Sequence, residues 1–209
     1  EIYTLSLHDA LPILWQKIET VARELLEYFG FSEIRIPIME RTELFKRSIG
    51  EDTDIVEKEM YTFPDRKGDL VTLRPEATAS ICRAYIQHKL FSPDPVQKFY
   101  MIGPMFRRER PQKGRYRQFY QIDAEIFGVQ SGLADVQLIF LLVTLCKRLN
   151  LADVSAHINS LGCPQCRPAF KRALTDFLVS VEDRLCSNCL RRRDRNPLRV
   201  LDCKVPACR

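Results

Sequence analysis

Five cationic side chains, Arg108, Arg110, Lys113, Arg115 and Arg117, crowd the ten residues 108–117, with Glu109 the only acidic group among them. That density exceeds what solubility asks of a loop. It suits a polyphosphate, whose oxygens a planar guanidinium can grip in pairs. The segment that follows, 117–127, alternates: Tyr120, Ile122, Ala124 and Ile126 point one way, while Phe119, Gln121, Asp123, Glu125 and Phe127 point the other. Three polar groups in succession on one strand face normally meet water. Beside a cationic loop they describe instead a pocket that holds a polyphosphate and a cationic group together. Gln121 and Glu125 share a face about 13 Å apart along the strand, so a ligand touching both must lie along it.

A second constellation is made of sulfur. Six of the eight cysteines follow residue 162. Cys163-x2-Cys166, nineteen further residues and Cys186-x2-Cys189 match the spacing of a four-cysteine zinc site, and Cys203 and Cys208 add a looser pair. Zinc on Cys163, Cys166, Cys186 and Cys189 is the arrangement that the spacing favours; reduced or redox-labile thiols and disulfides stay open beside it. Cys82 and Cys146 stand among apolar neighbours in helical patterns, as core thiols do.

The elements that must position these groups follow from hydrophobic periodicity. Leu14, Ile18, Val21, Ala22, Leu25 and Phe29 form one face of an amphipathic helix that Gly30 stops. Ile34, Ile36 and Ile38 alternate with polar residues and Pro37, which predicts an edge or interface strand. A short strand is expected at 71–73, a helix at 77–89 entered through Pro75 and Glu76, strands at 98–107 and 117–127, and a long helix at 134–149. Helices and strands do not alternate strictly, which implies an α+β fold with a mostly antiparallel sheet.

Composition bounds the rest. With 45% hydrophobic and 28% charged residues over 209 positions, the chain can bury a core without disulfide or metal support. No apolar run reaches the about 18 residues that cross a bilayer, and the start lacks the basic region of a signal peptide, so a soluble cytoplasmic protein with no membrane contact is expected. The net charge of +5 is unevenly placed: residues 159–209 hold eleven Lys and Arg against five Asp and Glu, whereas 1–158 hold 21 against 22. A basic module joined to a near-neutral one is how a protein with a separate polyanion contact looks, although a solvated Arg-rich surface looks the same. The first residue is Glu and the chain closes on no recognisable element, which reads as a fragment.

The stretch Met105-Phe106-Arg107-Arg108-Glu109-Arg110-Pro111-Gln112-Lys113-Gly114-Arg115-Tyr116-Arg117-Gln118-Phe119 resembles motif 2 of histidyl-tRNA synthetases, a class II aminoacyl-tRNA synthetase family. Thr72-Leu73-Arg74-Pro75-Glu76-Ala77-Thr78 is similar to the family's histidine-binding strand and turn, with Ala77 where Gly is common. Gly30-Phe31 through Pro37 and on to Tyr61-Thr62-Phe63 resembles its motif 1 region, which forms a homodimer interface. Residues 1–12 read as an atypical N-terminus, 13–159 as a class II catalytic core, and 160–209 as a truncated, Cys-rich basic insertion domain.

The resemblance implies histidine activation with ATP and Mg2+, then transfer to the 3′ end of tRNA(His). It makes Arg107 the catalytic arginine between α-phosphate and amino acid carboxylate. Glu76, Ala77, Thr78, Gln121 and Glu125 would bind histidine, with Glu125 on the imidazole; Glu109, Arg115, Tyr116 and Phe119 would bind ATP. Lys113, Arg108, Arg110 and Arg117 would face the tRNA acceptor end or simply water, and Arg191-Arg192-Arg193-Asp194-Arg195 the acceptor stem or a solvated helix face. Because the family's motif 3 and anticodon-binding domain lie beyond residue 209, the chain is not expected to complete the reaction alone. Two other functions remain: a non-catalytic paralogue of the ATP phosphoribosyltransferase regulatory type, and a zinc-bearing RNA-binding module.

Overall fold

The computed structural model of the chain describes residues 12–50, 53, 55–92, 94–109, 115–159 and 162–208. Residues 1–11, the bulk of the atypical N-terminus, and Arg110 and Lys113 of the cationic loop lie outside the described residues. The chain divides into two compact units, 1–156 and 157–209.

The first unit is built on two long strands. β5 (Gln97–Phe106) and β6 (Gln118–Phe127) pair antiparallel over their whole length, from Gln97 opposite Phe127 to Phe106 opposite Gln118, and β1 (Ser32–Glu33) joins the free side of β5 in parallel. The alternation along β6 sorts its side chains as the sequence requires. Ile122, Ala124 and Ile126 pack with Tyr100 and Ile102 against α1 (Pro12–Tyr28) and α4 (Gly132–Arg148), where Ala22, Leu25, Leu26, Leu141 and Leu145 are buried. Burying a leucine side chain stabilises by about 1.5–3 kcal/mol, so this seam fixes which face of β6 is left for chemistry. On that other face Phe119 and Phe127 pack with Met101, Met105 and Ile36, and with Ala77 and Ile81 at the start of α3 (Thr78–Gln87). The polar residues of β6 lie between those two phenylalanines.

A second antiparallel sheet, in the order β2 (Met39–Arg41), β4 (Leu70–Leu73), β3 (Tyr61–Pro64), carries the chain into the site. A chain of hydroxyls ties it to α2 (Thr42–Ile49): Thr72 is buried and lies 2.8 Å from the hydroxyls of both Thr42 and Thr62. Glu40 adds an anchor to α3 by accepting from Arg83 at 2.6 and 2.9 Å.

The isoleucine-rich strand expected at 34–38 is a correction. Ser32 and Glu33 are laddered to β5 and the Ile34 N–H still donates to the Tyr100 carbonyl at 2.8 Å, but the ladder then stops and pairing resumes only at Met39 with β4. Pro37 has no N–H to give. The carbonyls of Ile36 and Pro37 are taken by the guanidinium of Arg74, at 2.8 and 3.3 Å, instead of by a neighbouring strand. Cys82 and Cys146 are half-buried, less enclosed than core thiols.

Among its described residues the second unit contains α5 (Cys166–Ser180), α6 (Ser187–Arg195) and three short 3-10 turns, at Glu182–Arg184, Pro197–Val200 and Pro206–Cys208. Its buried interior is small: Leu178, Cys189, Pro197, Val200 and Cys203. Leu174, Leu185, Cys186 and Cys208 pack around that interior.

Candidate functional site

The site grows from the turn between β4 and α3. As β4 ends, Arg74 turns inward and becomes almost fully enclosed. Its Nε donates to the Pro104 carbonyl at 2.9 Å and its Nη1 to that of Ile36 at 2.8 Å, so one side chain ties β5 to the segment before β2. Gly103 makes the room, since a Cβ there would stand 2.8 Å from Nη2 of Arg74. Gly103 is opposite Gln121 in the ladder, which puts the Arg74 guanidinium beneath the polar face of β6. Burial holds the Arg74 pKa below its ordinary value, and Asp123 opposes that.

On this face three carboxylates converge. Thr78, the first residue of α3, donates its hydroxyl to Glu125 Oε1 at 2.5 Å. Glu76 caps the same helix by accepting from the Ala79 N–H at 2.9 Å, and Ala77 is fully buried behind it. Asp123 is pushed up to about 6, by burial first and then by repulsion from Glu125 and Glu76, with Arg74 and Arg107 pulling the other way. Burial likewise raises Glu125, against its bond from Thr78. Among the described residues, Gln121 Oε1 and Asp123 Oδ2 are buried with no hydrogen-bond partner. Buried acceptors without donors are rare and costly, so this face is arranged for a cationic, donor-rich guest.

Arg107 closes one end. Its Nε donates to the Pro75 carbonyl at 2.9 Å, its guanidinium lies over the Phe119 ring at 5.0 Å, and its N–H bonds to the Arg117 carbonyl where the cationic loop returns. Glu109, mostly buried, stands between two guanidinium groups, 3.9 Å from Arg107 and 3.3 Å from Arg115. Arg115 is well exposed and Tyr116 is at the surface. The Arg108 N–H donates to the Glu59 carbonyl, fastening the loop's start to the π-helical turn Ile55–Glu59.

The residues expected from the sequence thus sort into two neighbourhoods. Glu76, Ala77, Thr78, Gln121 and Glu125 line the acidic face, and Arg107, Glu109, Arg115 and Phe119 form the cationic end. Two further members carry no assignment from the sequence. Spacing gives Asp123 no role of its own, and Arg74 stands there only as part of its motif. The signal for Arg74 lies in Gly103, since a glycine inside an apolar strand marks close approach by another group.

The cysteines are grouped otherwise than their spacing suggests. Cys163 and Cys166 lie 3.4 Å apart, both exposed, and the Cys163 thiol is pushed below its ordinary value by the backbone and thiol of Cys166. They do not join Cys186 and Cys189. Those two meet Cys203 and Cys208 instead, all four Sγ atoms lying within 4.8 Å of one another. The pair that looks looser in sequence is the nearer one because the 3-10 turns after α6 fold 203–208 back onto its N-terminus.

Comparison with known proteins gives concordant results. A family profile described as histidyl-tRNA synthetase matches residues 6–202. The histidine--tRNA ligase of Desulforapulum autotrophicum is 70% identical over 204 residues, 96% of this chain and 48% of that protein; that of Desulfosudis oleivorans is 70% identical over 195 residues, 93% and 46%. The chain spans about half the length of the curated relatives it matches. Among solved structures, apo S. aureus histidyl-tRNA synthetase superposes with a TM-score of 0.72 at 33% identity, over 95% of this chain and 47% of that one. A Bacillus halodurans ATP phosphoribosyltransferase regulatory subunit/histidyl-tRNA synthetase shares the fold, with a TM-score of 0.60 at 21% identity.

Proposed function

Since the chain belongs to the histidyl-tRNA synthetase family, we propose that it forms the histidine- and ATP-binding half of a ligase that charges tRNA(His). The observation that carries this is the set of carboxylates of Glu76, Asp123 and Glu125, gathered around unpaired acceptors beside the anchored guanidinium of Arg107. A free amino acid whose side chain carries N–H donors meets both halves of that arrangement. Its ammonium and imidazole N–H groups are donors for the acidic face, and its carboxylate faces Arg107.

In the first step a carboxylate oxygen of histidine bonds to the α-phosphorus of ATP and pyrophosphate leaves. In the second, the 3′-terminal ribose hydroxyl of tRNA takes the acyl group and AMP leaves. The protein supplies position and charge instead of a covalent intermediate. Arg107 sits between α-phosphate and carboxylate, its angle set by Pro75 and Phe119. Arg115 takes the outer phosphates; Glu109, between two guanidinium groups, accepts from the adenine amino group; Phe119, with Tyr116 at the rim, offers the base an aromatic surface. Glu125 accepts from the imidazole, Glu76, Thr78 and Gln121 receive the ammonium, and the Ala77 backbone holds the turn. Magnesium arrives with ATP, and a zinc ion on the cysteines has no part in this chemistry.

The same reading assigns the protein to the cytoplasm and to a homodimer through the motif 1 region, where Ile38, Met39 and Phe63 are exposed. No helix among the described residues is long and apolar enough to cross a membrane.

Calorimetric titration with histidine, with and without a non-hydrolysable ATP analogue, tests the proposal against glutamine as control. Selective binding of histidine is expected. Glu125→Gln keeps an acceptor for Thr78 but loses the charge, and should weaken histidine binding by about 1.5–3 kcal/mol, the worth of a charged hydrogen bond. Equal binding of histidine and glutamine, or a Glu125→Gln chain that binds histidine as before, overturns it.

A further inference from the structure

We propose that Cys186, Cys189, Cys203 and Cys208 hold one structural zinc ion as a tetrathiolate, and that Cys163 and Cys166 are not among its ligands. A tetrahedral centre with zinc–sulfur distances of about 2.3 Å needs sulfurs about 3.8 Å apart. The four Sγ atoms already lie within 4.8 Å of one another, and Cys186 and Cys203 are 3.9 Å apart. An ion at their centre therefore asks for a contraction of an ångström or less. Two disulfides would use the same sulfurs in pairs, but the four are mutually close instead of sorted into two couples.

The surroundings are those of thiolates. The Cys186 N–H points at Cys208 Sγ and the Val205 N–H at Cys203 Sγ, each at 3.4 Å. Cys186 is the N-cap of α6 and Cys189 lies in its first turn, where the helix end favours negative charge. Lys204 adjoins one ligand, and α6 itself carries Arg191, Arg192, Arg193 and Arg195, so a dianionic centre is set in a basic frame.

Size supplies the second argument. A unit of about 50 residues rarely holds together on a single core and ordinarily needs a metal or disulfides. The buried interior here is Leu178, Pro197, Val200 and two of the four cysteines, and none of the unit's six cysteines is in a disulfide. Phe170, Phe177 and Val179 of α5 point to the surface, so they add nothing to that interior. Without the ion, the centre of this unit would be four crowded sulfurs with few apolar partners around them.

The test uses the whole chain, purified from zinc-supplemented medium and exhaustively dialysed. Elemental analysis should find one zinc per chain, near zero for Cys203→Ser and for Cys208→Ser, and still one for the Cys163→Ser/Cys166→Ser double variant. Should the serine variants fold poorly, cobalt substitution in the unaltered chain decides. The ligand-field bands and sulfur-to-metal charge transfer of a tetrahedral tetrathiolate are expected, and their absence overturns the site. Zinc retained by Cys203→Ser, zinc lost from the Cys163→Ser/Cys166→Ser variant, or two disulfides and no metal would each do the same.

Discussion

Asp123 is the residue whose chemistry the sequence leaves blank. Nothing in its spacing distinguishes it from Gln121 and Glu125, because alternation places all three on one face and is silent about depth. What sets it apart is tertiary: Arg74 beneath it, Glu76 and Glu125 beside it, and little water, which together bring it to about 6. A carboxyl whose folded value lies above its ordinary 3.8 binds its proton more tightly in the native state than in the unfolded one. Its contribution to stability is therefore complete below pH 3.8 and is lost as pH rises through about 6. At neutral pH the buried charge is a burden that a bound cation relieves. Asp123→Asn should remove this dependence: measured by urea unfolding without ligand, the variant gains on the parent by up to about 3 kcal/mol between pH 4 and pH 7. A constant difference over that interval would show that Asp123 does not titrate there.

At the scale of elements, what is legible in the sequence and what is not divides by range of interaction. The strands expected at 98–107 and 117–127 lie within a residue of β5 and β6, since a strand with one face sealed against helices must alternate in sequence. The helices at 77–89 and 134–149 are likewise local patterns, found at Thr78–Gln87 and Gly132–Arg148. The extended stretch at 34–38 misleads because its isoleucines alternate correctly while its carbonyls are claimed by an arginine about forty residues away. No window on the sequence sees that bond. The same arginine makes Gly103 a demanding position. A methyl there would come within 2.8 Å of the Arg74 guanidinium and 2.9 Å of Met101 Cε, and Arg74, tied to the carbonyls of Ile36 and Pro104, has little freedom to withdraw. Gly103→Ala should therefore destabilise by about 1–3 kcal/mol, as overpacking does, although alanine is otherwise the better strand residue. Pairing it with Arg74→Lys, which shortens the fork, should recover part of that stability in a double-mutant cycle; strict additivity would mean that the two do not press on each other.

For the whole molecule, the division of charge follows the division into units. The acidic face and its arginines belong to 1–156, a unit of nearly balanced charge, while the surplus of Lys and Arg falls in 157–209. A pocket that must discriminate one amino acid needs local charges that cancel once the ligand is in. A surface that holds a tRNA needs net positive charge that does not cancel and that positions without reading sequence. Sequence composition exposes this asymmetry because charge is countable without a fold. It cannot say which cations face outward, just as spacing cannot say that the chain folds Cys203 and Cys208 back to Cys186 and Cys189. On α6, Arg193 pairs with Glu182 and Asp194; Arg191 and Arg195 are both exposed and four residues apart, so they share a face. If that face meets tRNA(His), binding should weaken with salt, and replacing Arg191 and Arg195 together with Ser should lower the slope of log affinity against log salt. Every phosphate that the variant leaves unneutralised takes roughly 0.7 to 0.9 from that slope. Histidine binding should be untouched, because every residue assigned to it lies in the first unit. A slope equal to that of the parent would place the tRNA interface on other cations, whereas a fall in histidine affinity would mean that the two units do not divide the work as their charges do.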